Sequence, residues 1–118
     1  MSRGHGKIET AILEILTQNS EEMFLSLELA VIVYEIAPDE AGYFPVSPAQ
    51  AAAVRRALSN LQRQGKVFNL GRFHGGPHGS SKTKWSCADK ARSYTNSIAR
   101  YFGEANVPKN LAALLPDE

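Results

Sequence analysis

Apolar positions along this chain recur first at helical spacing, then alternate, then return to helical spacing. Ile8, Ala11, Ile12, Ile15 and Leu16 fall on one side of a helix, with Glu9, Glu14 and Gln18 opposite. That pattern predicts an amphipathic first helix ending near Asn19-Ser20. Met23-Phe24-Leu25 is too short to be a helix and reads as a stub of strand. Ser26 is placed to cap a second helix over residues 27–37, apolar nearly all round. Pro38 stops it, because the proline ring cannot continue the hydrogen-bond ladder. Residues 38–46 then read as loop.

The third helix has the clearest local signals. Ser47 caps it, Pro48 takes the first helical position, and Gln50 falls where a capping box wants Glu or Gln. Val54, Leu58 and Leu61 form a narrow apolar stripe with Ala51 and Ala57 beside it, and Gly65 ends the helix where a left-handed residue is needed. The opposite face carries Gln50, Ala53, Arg55, Arg56, Asn60 and Arg63, and the helix contains no acid.

Residues 67–73 are rich in strand-formers, residues 74–81 are turn chemistry, and residues 82–87 alternate. Thr83, Trp85 and Cys87 share one face, with Trp85 toward the core, while Lys82 and Lys84 share the other. A β-hairpin with a long tip is the expectation. From 88 to 104 the helical period returns, with Ala91, Tyr94, Ile98, Tyr101 and Phe102 on one side. The domain organisation read from this pattern is a flexible arm at 1–6, one domain at 7–104 and a tail at 105–118. Leu111, Leu114 and Leu115 make that tail a candidate for a short docked helix.

Composition agrees with one packed domain: 118 residues, 43% hydrophobic and 21% charged. The net charge of +1 conceals a strong polarity. Residues 1–46 carry a net −6, residues 47–100 a net +9 with Asp89 the lone acid, and residues 101–118 a net −2. The middle of the chain is therefore an electrostatic footprint for a polyanion. A single cysteine, Cys87, excludes an internal disulfide and suits a reducing compartment. The longest apolar run, 29–34, is too short to cross a bilayer, and no apolar stretch of signal-peptide length follows the N-terminus. A cytoplasmic location is expected.

The order helix, short strand, helix, helix, hairpin, helix resembles the winged helix-turn-helix family. The stretch from Ser47 through Val54, Leu58 and Leu61 to Gly65 and Val67 is the most specific part of the likeness. It is similar to the frame of MarR-like and PadR-like bacterial transcription regulators, over about residues 7–100. The resemblance implies an α+β winged helix: a three-helix core, a hairpin wing and a C-terminal helix. It also implies sequence-specific binding of double-stranded DNA, with helix 47–64 in the major groove and wing 72–84 on the backbone or minor groove.

On that frame, Arg56 and Gln50 suit bidentate contacts to guanine and adenine, and Arg55 and Asn60 suit bases or phosphate. Ala53 permits close approach to the groove wall, while Arg72, Lys82 and Lys84 flank the wing. The apolar side of helix 88–104 is a candidate homodimer face. Two other readings stay open: a winged helix that binds protein and not DNA, and a plasmid or phage replication-type DNA-binding protein. Enzymatic chemistry is not expected. His74, His78 and Cys87 give at most three metal ligands on a glycine-rich loop, and Gly75-Gly76-Pro77 does not lead into a helix as a phosphate-binding loop must. No cofactor, metal site or membrane association is expected.

Overall fold

The computed structural model describes residues 6–75 and 80–115, apart from the side chains of residues 73–75, 80 and 81. In chain order the elements are α1 (Lys7–Gln18), β1 (Phe24–Leu25), α2 (Ser26–Val33), α3 (Pro48–Arg63), β2 (Phe68–Gly75), β3 (Ser80–Ser86) and α4 (Ala88–Phe102). Two 3-10 segments, Glu104–Asn106 and Lys109–Leu114, follow. The fold is α+β, with helices on both sides of a small antiparallel sheet of order β1-β3-β2.

The stripes predicted from sequence build the first core. Val54, Leu58 and Leu61 of α3 are fully buried against Ile12 and Leu16 of α1, Leu29 and Ala30 of α2, and Val67. Each such large side chain contributes roughly 1.5–3 kcal/mol by leaving water. The sheet closes this core from one side. Phe24 and Trp85 are direct cross-strand partners, and both pack against the cluster, each half-buried.

A second core lies on the other face of the sheet. Leu70 of β2, Ala91 of α4, and Val107 and Leu111 of the tail are buried together, with Phe68, Tyr94 and Ile98 packed around them. The tail is thus a structural part of the domain, as 3-10 segments. Asn110 Nδ2 fastens it further by donating to the Asn69 carbonyl at 2.8 Å, on the edge strand β2. Thr95, absent from the predicted stripe, is fully buried; its hydroxyl donates to the Ala91 carbonyl at 2.7 Å, so the burial leaves no unmet polar group.

Three local features depart from expectation. First, α2 ends at Val33, four residues early, and Ser26 is its first helical residue and not its cap. Leu25 is held extended by its pairing with Lys84, and its N–H donates to Glu28 Oε1 at 2.8 Å. At the other end Glu35 takes φ +53°, Glu35 N donates to the Ile32 carbonyl, and Ile36 N donates to the Val31 carbonyl. This is the closing pattern usually built on glycine, here with a glutamate in the left-handed position. The connection to α3 consequently runs over residues 34–47 instead of 38–46. Gly65, at φ +75°, closes α3 in the expected way.

Second, the hairpin strands run further than the predicted boundaries, pairing His74 with Ser81 and Gly75 with Ser80. Backbone pairing extends there through residues of low strand propensity. Residues 76–79, the remainder of the predicted tip, lie outside the described residues, as do Arg3 and His5 of the predicted arm. Lys7 starts α1.

Third, β2 carries a bulge: Asn69 pairs with Trp85 but Arg72 pairs with Thr83, so Leu70 and Gly71 stand opposite Lys84 alone. Gly71 supplies φ +95° and its N–H donates to Asn69 Oδ1 at 2.7 Å. Unbroken alternation puts Arg72 on the same face as Leu70, toward α4. The extra residue moves it onto the face of Thr83 and Trp85, because cross-strand partners share a face.

Candidate nucleic-acid interface

Buried positions 54, 57, 58 and 61 fix the rotation of α3, which turns Arg55, Arg56 and Arg63 outward as exposed side chains. Adjacent residues on a helix diverge by about 100°. Arg55 and Arg56 accordingly border two different grooves.

Arg56 lies on the α1 side, in a groove it lines with Ala53, Asn60, Lys7 and Glu9. Asn60 Nδ2 donates to Glu9 Oε2 at 3.1 Å, and Asn60 Oδ1 accepts from the Arg63 guanidinium. Both ends of the Asn60 amide therefore hold protein partners, and its work in this structure is tying α3 to α1. A carboxylate in this groove also offsets the charge of Arg56.

Arg55 lies on the side of the β2–β3 hairpin. There a groove of about 250 Å³ is lined by Arg55 with Leu25, Ser26, Leu27, Lys82, Thr83 and Trp85. No carboxylate is among those lining residues, which bring together one basic residue from α3 and one from β3. Ser26 opens α2, and Glu28 in the same first turn accepts from the Leu25 N–H. Arg72, exposed, stands beside Thr83 on the strand face selected by the bulge. Lys84, half-buried, lies opposite the bulge and has a partner of its own.

Gln50 sits at the start of α3. Its N–H donates to Ser47 Oγ at 3.1 Å while its Oε1 accepts from Ser47 N at 3.0 Å. The capping box predicted from sequence is formed, and it occupies the acceptor that a two-bond contact to adenine requires. Of the eight residues singled out from sequence, the structure joins Arg55 and Lys82 in one groove with Arg72 nearby. Ala53, Arg56 and Asn60 fall into the other, Gln50 is engaged in its cap, and Lys84 lines neither groove.

Ser26 and Thr83 are polar lining residues that the sequence reading passed over. The signal for Ser26 was present: a strand stub running straight into a helix puts the helix's first residue beside the partner strand. Among the described residues no group of three His, Cys, Asp or Glu side chains is arranged to hold a metal ion. Cys87 packs against the first core, with Sγ 3.3 Å from the Ser20 carbonyl. His78 lies outside the described residues. Among those residues no helix is long and apolar enough to cross a membrane. Comparison with protein-family models, with curated proteins and with solved structures finds no match to this chain.

Proposed function

We propose that the chain is a winged-helix DNA-binding domain that contacts double-stranded DNA through the exposed face of α3 and the β2–β3 hairpin, and acts as a transcriptional regulator. The observation that carries this reading is the hairpin-side groove, lined by Arg55 of α3 and Lys82 of β3 with no carboxylate among its lining residues. The element order and the pairing of β1 with β3 at the base of the hairpin support it. The charge distribution supports it as well, since residues 47–100 carry a net +9. In this reading Arg55 and Lys82 grip phosphates, Arg72 follows the backbone beside the wing, and Arg56 is left for base edges. Gln50 and Asn60 act by holding α3 in place.

Fluorescence anisotropy on a labelled random-sequence duplex, titrated at low and near-physiological salt, tests the proposal. Binding falls with salt by a slope of about 0.9 per phosphate neutralised. Replacing Arg55 and Lys82 together with alanine lowers that slope by roughly 2 and weakens binding to all sequences alike. No binding by the wild-type chain at low salt overturns the reading and moves attention to protein partners.

A further inference from the structure

We propose that the chain self-associates by docking the exposed Arg100-Tyr101-Phe102 end of α4 of one copy into an acidic, apolar groove between α2 and the 38–46 loop of another. This inference does not rest on DNA binding.

The groove has apolar walls from Met23, Phe24, Val31, Ile32 and Phe44, edged by Glu22 and Glu28, and encloses about 320 Å³. Ile32 and Phe44 are 46% and 48% exposed. The loop that presents Phe44 is internally built. Asp39 Oδ1 accepts from both Ala41 N and Tyr43 N at 2.9 Å, and Asp39 N donates to the Tyr43 carbonyl at 2.7 Å. An aromatic held by such a turn loses little freedom when it is covered, which favours association.

Charge selects the occupant. Residues 8–54 contain eight acidic side chains and no lysine or arginine. At the groove itself Glu22 and Glu28 are the charged lining residues, so it suits a partner that brings a cation together with apolar surface. The end of α4 brings one cation, Arg100, beside two aromatic rings, with Glu104 two residues further on. Tyr101 and Phe102 are each 71% exposed, and the Arg100 guanidinium lies 5.7 Å from the centre of the Tyr101 ring. Arg92 is already near Asp89, at 3.7 Å, so Arg100 is the cation the proposal uses. Pairing groove with groove sets Glu22 and Glu28 against their own copies, and pairing α4 ends sets Arg100 against Arg100. Cross-docking brings opposite charges together and covers aromatic surface on both sides.

Sedimentation of the full chain, with two exposed-site variants, tests the proposal. The wild type sediments above monomer mass at concentrations up to about 100 μM in low salt, a range suited to a contact of this modest size. Ile32→Asp removes the groove and Phe102→Asp removes the inserting ring; each alone is a monomer, with helical circular dichroism unchanged. An equimolar mixture of the two restores a complex of one copy of each, because one good groove then meets one good ring. In a second arm Glu22→Arg weakens association about tenfold or more, and adding Arg100→Glu recovers it. A monomeric wild type overturns the proposal. So does a mixture that stays monomeric, which assigns any wild-type assembly to another surface.

Discussion

Replacing Leu111 with alanine examines the finding that the tail is part of the fold. Leu111 is completely buried between α4 and β2, with Leu70, Ala91 and Val107. Loss of a buried leucine's branched end costs the transfer energy of its methyl groups plus a cavity term, about 2–5 kcal/mol in all. The next-door anchor from Asn110 to the Asn69 carbonyl limits how far the 3-10 segment can collapse inward, so we expect about 3 kcal/mol. A domain of this size is stable by about 5–15 kcal/mol, so the variant folds but is visibly weakened. With a urea slope of about 1.5 kcal/mol/M, the midpoint falls by about 2 M. Trp85, the only tryptophan, sits against the first core and reports from across the sheet. Because β2 and β3 are shared by both cores, its fluorescence and far-ultraviolet circular dichroism shift together. If the Trp85 midpoint stays in place while only part of the dichroism moves, the two cores unfold separately and this reasoning fails.

Gly71→Ala meets no atom within 4 Å but must hold φ +95°. We expect a loss of about 1–2 kcal/mol, seen as a lower melting temperature, with duplex affinity falling as Arg72 leaves the Thr83 face. An unchanged melting temperature means the bulge does not depend on that glycine. Asn60→Ala costs about 1 kcal/mol of stability by breaking the bridge to Glu9, and leaves duplex affinity as it was; an affinity loss without a stability loss returns Asn60 to the interface. Burial raises the Tyr94 hydroxyl above its ordinary value of 10.0, so the folded chain holds that proton more tightly than the unfolded chain does. The associated stability is present below pH 10.0 and is lost as pH rises from there through the folded value. Tyr94→Phe removes this step from thermal melts taken across the alkaline range, and a step of the same size in the variant assigns it to another group.

Signals confined to a few neighbouring residues were readable in the sequence. Ser47, Pro48, Gln50 and Gly65 set both ends of α3 by hydrogen bonds that span no more than five positions. The stripe of Val54, Leu58 and Leu61 then fixed which face is buried. Features that depend on distant partners were not readable. One local signal escaped as well: the early end of α2 uses a left-handed glutamate, where the pattern leads one to look for glycine. The tail leucines pointed to docking, but the 3-10 form in which they dock lacks the 3.6-residue period and was not readable. The bulge needs Gly71, the Asn69 side chain and a carbonyl contact from Asn110, 41 positions later. At the candidate site, exposure of Arg55 and Arg56 followed from the stripe. Which of them faces the hairpin is set by how α3 crosses the sheet, and the engagement of Asn60 depends on Glu9, 51 positions upstream.

The segregation of charge ties the two proposals together and makes them separable. The groove beside the hairpin is lined by Arg55 and Lys82, and the groove beside α2 by Glu22 and Glu28. The two grooves share no lining residue, although α2 contributes to both. A chain that bound DNA through its acidic half would repel phosphates, so covering the α2 groove with the Arg100-Tyr101-Phe102 end of another copy leaves the basic groove open. It also brings a second basic groove to the same duplex. Salt weakens both contacts, so salt alone cannot tell them apart, but substitutions can. Removing Arg55 and Lys82 weakens duplex binding and leaves the sedimentation profile of the free chain intact. Phe102→Asp leaves binding to a duplex long enough for one copy unchanged, and lowers apparent affinity for a longer duplex where neighbours assist one another. If Phe102→Asp weakens binding to both duplexes equally, the end of α4 touches DNA itself, and the self-association surface must be sought elsewhere.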